Sequence, residues 1–162
     1  MATSATATRF AQLALLVMAT TAVGCDGEGP ETIGPRGGTV TSADGRVTLE
    51  IPPGALDHDV ALYIGEVDGG PQDALGYAYE IEPAMTVFHQ PAAMSFDLDA
   101  VGSADGARSI NLADAGMELA DVTVVAEKAT RWEALADIEE DDDTMTLSGS
   151  VLYTTTFAVV PR

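Results

Sequence analysis

The amino-acid sequence predicts an all-β protein: a single antiparallel β-sandwich behind a cleaved N-terminal signal helix and a short flexible tether. Three observations lead there. Short runs from Gly37 onward alternate apolar and polar residues with the period of two that a half-buried strand requires. Clusters of Gly, Pro and Asp separate those runs at short spacing, as they do in sandwiches and barrels. A chain of 162 residues, 46% of them apolar, is long enough for one ordinary domain and apolar enough to pack its core.

The N-terminus has a different character. Met1 to Arg9 carries one basic group, Arg9, and no acid. Phe10 to Val23 is apolar or small apart from Gln12 and two threonines, and is too short for a comfortable membrane span. A basic start, a short apolar run and small residues before a break are the parts of a secretory signal. The break, Ala22-Val23-Gly24-Cys25, holds the only cysteine of the chain, so no internal disulfide can form. This stretch resembles a bacterial lipoprotein signal, with Ala22 where leucine is usual. The resemblance implies that the Cys25 thiol receives a diacylglyceryl group, that residues 1–24 are removed, and that the new amino end is acylated. The competing reading is an ordinary signal peptide with a chance cysteine. Two or three acyl chains hold a protein firmly at a bilayer, whereas one holds it marginally. Removing residues 1–24 takes the formal charge from −19 to −20, because Arg9 leaves and no acid does. Asp26 follows the cysteine. Aspartate there favours the inner membrane in enteric bacteria, but other bacteria sort differently, so neither membrane is chosen.

Asp26 to Arg36, DGEGPETIGPR, is rich in Gly, Pro and acid, with Ile33 as its one large apolar residue. Together with Cys25 it reads as a lipidated tether, residues 25–36, spanning about 40 Å at roughly 3.5 Å per residue. The domain, residues 37–162, opens on a hairpin. Asp44-Gly45 tolerates the positive φ of a tight turn. Val47, Leu49 and Ile51 then alternate with Arg46, Thr48 and Glu50, which are read as the polar face. Pro52-Pro53-Gly54 ends the strand, and Ala55 and Leu56 turn back under the sheet.

Further strands follow at Val60 to Ile64 and at Tyr77 to Ile81, with Met85 to Phe88 extending that edge. Met94 to Leu98, Val122 to Ala126, Trp132 to Ala136 and Met145 to Leu147 come next, and one run from Tyr153 to Val159 closes the chain. Val101 to Gly116 reads as loop, with one strand around Ser109 to Leu112. There is no heptad pattern, low-complexity tract or internal repeat.

The order of these landmarks resembles a ZU-five type domain, over roughly Gly37 to Val160. The resemblance rests on Gly37-Gly38-Thr39-Val40, Val47 to Ile51, Pro52-Pro53-Gly54-Ala55-Leu56 and Tyr79-Glu80-Ile81-Glu82-Pro83. Phe88, Pro91, Trp132 to Leu135 and the ending Ser150 to Val159 complete it. It implies a β-sandwich that serves as a non-enzymatic interaction module. Some ZU-five domains also cut their own backbone at a His-Phe-Ser sequence near the end. Here Tyr153-Thr154-Thr155-Thr156-Phe157 stands at that place, so a threonine nucleophile would lack the adjacent imidazole. A closing strand of β-branched residues is the favoured reading.

Other constellations give way to plainer readings. The two histidines, His58 and His89, read as turn and loop residues. Zinc at Asp57-His58-Asp59 is disfavoured because consecutive residues seldom face one centre. No Gly-x-Ser-x-Gly elbow, phosphate-binding glycine loop or dinucleotide fingerprint occurs. The acidic run Glu139 to Asp143 reads as a hairpin tip in water, with calcium held weakly at best, since tight sites fold six to eight ligands around the ion. Asp97-Leu98-Asp99 begins like a calcium loop but fails at Val101 and Arg108. Trp132 reads as core. The phase of Tyr63, Tyr77 and Tyr79 does not decide between core and rim.

A charge of −19 repels nucleic-acid phosphates and anionic membrane surfaces, so no nucleic-acid partner is expected, and such acidity most simply serves solubility. The reading is a lipoprotein anchored at Cys25 on the extracytoplasmic side of a bacterial envelope membrane, with no catalytic residue and no cofactor. Its partners would be the bilayer, through acylated Cys25, and an envelope protein or polymer. The alternatives are a self-processing domain and a calcium-dependent adhesion module.

Overall fold

Alternation at period two puts every second side chain on one face, so each such strand needs a second sheet to cover it. The structure, a computed structural model, describes residues 29–99, 112 and 116–162. Among the described residues there are eleven strands. They are β1 (Glu31–Ile33), β2 (Gly38–Thr41), β3 (Val47–Ile51), β4 (Val60–Val67), β5 (Ala78–Glu82), β6 (Val87–Asp97), β7 (Val122–Lys128), β8 (Arg131–Ala134), β9 (Glu139–Asp141), β10 (Thr146–Tyr153) and β11 (Thr156–Pro161). They form a six-stranded sheet, β1-β4-β5-β11-β7-β8, facing a five-stranded sheet, β2-β3-β6-β10-β9. Every pairing between these strands is antiparallel. The antiparallel β-sandwich predicted from the sequence is the observed architecture.

Hairpins stay within a sheet, and the links between them change sheet. β2–β3 and β9–β10 pair in one sheet, β4–β5 and β7–β8 in the other. β6 sits between β3 and β10, and β11 between β5 and β7. The inward faces supply the core, including Leu49, Ile51, Met94 and Leu147 from one sheet and Leu62, Ile64, Ile81 and Val124 from the other. Ala55 and Leu56 are buried beneath, as their sequence position suggests. A smaller cluster of Ala78, Val125, Ala158 and Val160 lies on the other face of the six-stranded sheet, under Val67, Ala74 and Trp132. β11 is therefore buried on both faces, which explains its unbroken apolar run.

Several expectations are corrected. Glu31–Ile33, read as tether, is an edge strand paired with β4, and Ile33 is buried in the core. The lone large apolar residue of that stretch was its strand signal. Met85 to Phe88 does not extend β5: Val87 begins β6 in the opposite sheet, after a cis Glu82–Pro83 bond. Tyr153 to Val159 is not one strand, because β10 ends at Tyr153 and β11 restarts at Thr156 in the other sheet. Trp132 is half-buried in the smaller cluster, outside the core between the sheets. Of the tyrosines, Tyr79 is buried, while Tyr63 and Tyr77 are half-buried. The expected strand at Ser109 to Leu112 falls almost wholly outside the described residues.

Arg46 overturns the polar-face reading of the opening hairpin. It is only 5% exposed. Its guanidinium lies 3.6 Å from Asp44 Oδ2, and both side chains are buried. Asp44 also accepts hydrogen bonds from Ser42 Oγ at 2.5 Å, from the Arg46 backbone N–H at 3.1 Å and from Tyr79 Oη at 2.6 Å. Tyr79 belongs to β5, so the carboxylate joins the two sheets. The Tyr79 ring meets Phe96 of β6 edge-on, with centroids 6.1 Å apart. Burial first, and the hydrogen bond to Asp44 second, push the Tyr79 phenol far above its ordinary value. The phenol thus stays a donor; its contribution is complete below about pH 10 and is lost as pH rises above that.

At the opposite corner Gly37 has φ +72, and a Cβ there would stand 2.2 Å from the Ile51 carbonyl oxygen. Gly37→Ala should destabilise the protein by about 3 kcal/mol, from left-handed strain plus the clash. Urea unfolding tests this: the midpoint should fall with an unchanged slope, and an unmoved midpoint would show that the corner simply relaxes.

Candidate functional site

Cys25 lies outside the described residues, as do Val101 and Arg108 of the rejected calcium loop. Residues singled out in the sequence gather in three places, the histidine loops, the acidic edge and the closing corner, and the fold adds a fourth, a lateral cleft.

Chain folding brings His58 and His89 together, which reading each alone did not anticipate. The proline-glycine turn after β3 packs on the irregular middle of β6, where His89 N–H donates to Ala55 O at 2.9 Å and Gln90 Nε2 to Pro53 O at 3.2 Å. Asp57 then contacts His58 Nδ1 through one carboxylate oxygen and lies 4.0 Å from His89 Nε2 through the other. The hydrogen bond from His58, with its charge, holds the Asp57 carboxyl below the usual range. All three side chains are well exposed. The rings meet opposite oxygens, so the donors do not converge on one point, and no metal-holding group occurs among the described residues.

The acidic run is part strand. Glu139–Asp141 is β9, paired with β10 at the sheet edge, and only the following residues form the hairpin tip. Asp141 Oδ1 accepts from Asp143 N–H at 3.0 Å and from Thr144 N–H at 3.3 Å, and Arg162 pairs with Glu140. A row of acids on an edge strand discourages pairing with another sheet edge.

Between β10 and β11 the chain changes sheet through Thr154 and Thr155. Thr154 is fully buried. Its hydroxyl donates to Pro83 O at 2.6 Å and accepts from Thr86 N–H at 2.9 Å. Its backbone exchanges bonds with Thr86 O and Met85 N–H. The Thr155 hydroxyl donates to Glu127 O at 2.9 Å. Both hydroxyl protons go to carbonyl oxygens, which cannot act as general bases. A polar residue that is buried and doubly bonded serves here as a corner clamp.

The fourth place was not anticipated from the sequence. β8 stops at Ala134, two residues earlier than its apolar pattern suggests, and the chain crosses to β9 through Leu135 to Ile138. Gly149 of β10 makes room for the crossing: a Cβ there would lie 3.1 Å from Ile138 Cδ1 and 3.2 Å from Leu135 Cδ1. Asp137 anchors it by accepting from Ser150 N–H at 3.2 Å, and the bonds from Ser150 hold its carboxyl below the usual range. Beneath lies a cleft of about 410 Å³, reaching Ala126, Val151 and Phe157 on its floor. Leu152, 54% exposed, stands at its rim. At its mouth Glu133 is held by Lys128 at 3.0 Å and Arg131 at 2.6 Å, and Lys128 foremost keeps the Glu133 carboxyl below its ordinary value. Apolar Leu135 and Ala136, continuing past a strand that has ended, were the only sequence trace of it.

No protein-family model matches the chain, and no curated protein matches it. Among the described residues no helix is long and apolar enough to cross a membrane.

The corner assignment has a direct consequence. Thr154→Val keeps the shape and removes the hydroxyl, leaving Thr86 N–H unpaired while Pro83 O keeps its bond from the Thr86 hydroxyl, and should cost about 1–2 kcal/mol in chemical denaturation. A variant as stable as the parent would mean the hydroxyl is not structural and would reopen a chemical role.

Proposed function

We propose that the protein is a lipoprotein anchored through acylated Cys25 on the extracytoplasmic side of a bacterial envelope membrane. Its β-sandwich, of ZU-five type, acts there as a non-enzymatic binding or structural module. The observation that carries this reading is the position of the sole cysteine, directly after Ala22-Val23-Gly24 at the end of an apolar run. Supporting it, β1 begins at Glu31, so only Asp26 to Pro30 separates Cys25 from the sandwich. Five residues reach at most roughly 18 Å, less than half the span of the tether read from sequence, and would hold the sandwich close to its membrane. The engaged hydroxyls of Thr154 and Thr155 favour binding over self-cleavage.

Intact mass of protein purified from its native membranes, beside a Cys25→Ser version, tests the reading. A chain beginning at Cys25, carrying diacylglyceryl and acyl mass and ending at Arg162, is the expected result. An unlipidated chain beginning elsewhere overturns the anchor. A break within Tyr153 to Thr156 overturns the non-enzymatic reading in favour of self-processing.

A further inference from the structure

We propose that the corner of the sandwich formed by Met85, Val87 and Leu152 rests on the bilayer, its side chains entering the head-group boundary of a zwitterionic lipid surface beside the anchor. Exposure, composition and the place where the chain enters each point to this surface. Among the described residues, the large apolar side chains left exposed are Met85 at 68%, Val87 at 61% and Leu152 at 54%. They are neighbours rather than scattered. Val87 pairs with Tyr153, Met85 N–H donates to Thr154 O at 2.8 Å, and Thr154 N–H to Thr86 O at 3.0 Å, so Leu152 to Thr154 runs alongside Met85 to Val87. Phe88 and Val151 are buried in the core, and their neighbours Val87 and Leu152 face outward. Met85 has φ +63, where glycine or asparagine carries less strain, so the turn itself does not call for a methionine.

A single exposed leucine needs no partner, but apolar side chains gathered on one corner mark an interaction surface. Composition sets its kind. Asp and Glu number 26 in the chain, yet Pro83 to Phe96 and Thr144 to Arg162, which supply most of β6 and all of β10, contain none. The acids flanking the corner are Glu82, before Pro83, and Asp57, which meets His58 and His89. Such groups stay hydrated, which limits entry to the head-group boundary, and the net charge of −19 disfavours an anionic surface. The point where the chain enters selects a bilayer over another protein. Gly29 and Pro30 line one surface hollow with Pro83, and Met85 follows two residues later, at most about 7 Å along the chain. Asp26 to Glu28 alone separate Gly29 from Cys25, a reach of roughly 14 Å. A lipid on Cys25 therefore keeps this corner beside its own membrane at an effective concentration on the order of millimolar, where a few side chains suffice that would bind marginally alone.

This deepens the anchored-module reading and rests on it, so the test fixes the anchor chemically. The Cys25 thiol of the full chain would be coupled to a maleimide-bearing lipid in phosphatidylcholine vesicles. That holds the protein at Cys25 whatever its native processing, which the intact mass of the native protein judges separately. In a Trp132→Phe background, the sole tryptophan would be placed by Val87→Trp or by Asp142→Trp. Asp142 follows β9 at the opposite end of β10 and is exposed. Brominated phosphatidylcholine should quench about half of the Val87→Trp emission and leave Asp142→Trp unquenched. Adding Met85→Asp and Leu152→Asp should restore the Val87→Trp emission and leave the urea midpoint in place, since both side chains are exposed. Equal quenching at the two ends, or none at Val87→Trp, would overturn the proposal. Quenching that survives the two aspartates would overturn it equally, since the tether or the apolar stretch Phe10 to Val23 would then impose the contact. So would a dimer of the Cys25→Ser chain in light scattering that Met85→Asp abolishes, because the corner would then belong to a second copy.

Discussion

A single carboxylate, Asp44, sits between the two sheets and decides how they close. Its neighbours satisfy it from three directions: the Ser42 hydroxyl, the Arg46 backbone and guanidinium, and the Tyr79 phenol from the opposite sheet. An ionised group in that place is tolerable only because it is paired and hydrogen-bonded. Replacing such a buried pair outright with apolar residues is often neutral, but removing one partner leaves an uncompensated charge. The cluster therefore works as a lock on geometry: it ties the tip of the β2–β3 hairpin to β5 and fixes the edge-on contact of Tyr79 with Phe96.

The two lateral sides of the sandwich are finished differently. On one side the chain turns tightly from β1 to β2 through Gly34 and Gly37, where the Asp59 carboxylate and the Ile51 carbonyl leave no space for a side chain. On the other side β8 and β9 are joined by a crossing that packs on Gly149 and is hydrogen-bonded to Ser150 of β10, with a cleft of about 410 Å³ beside it. The cleft lies at the β8 edge of the six-stranded sheet, opposite the β1 edge.

Much of the fold was legible because strands announce themselves by alternation. Val47, Leu49 and Ile51, or Leu62 and Ile64, can face only one way once a sheet exists. What alternation cannot tell is which sheet a strand joins. Thr154 and Thr155 continue the pattern of β10 into β11, so the change of sheet between them was hidden, and the same holds for Met85 to Phe88. β1 was missed because three residues are too few for a period and its Gly-Pro surroundings resemble a linker. Arg46 and Asp44 misled for a related reason: Asp-Gly was rightly read as a turn, but Asp44 serves more than the turn, since its partner Tyr79 is 35 residues away. The cleft arises where two sheets diverge, and such a gap belongs to no single stretch of chain. The histidine pair around Asp57 was lost in the same way.

The coupling energy between Asp44 and Tyr79, from a double-mutant cycle of Asp44→Ala and Tyr79→Phe in urea unfolding, tests the inter-sheet lock most directly. The lock predicts a coupling of at least about 1.5 kcal/mol, as expected of a hydrogen bond to a buried charged group. Additive losses, within roughly 0.5 kcal/mol of zero coupling, would contradict it and leave the closing of the sandwich to apolar packing alone.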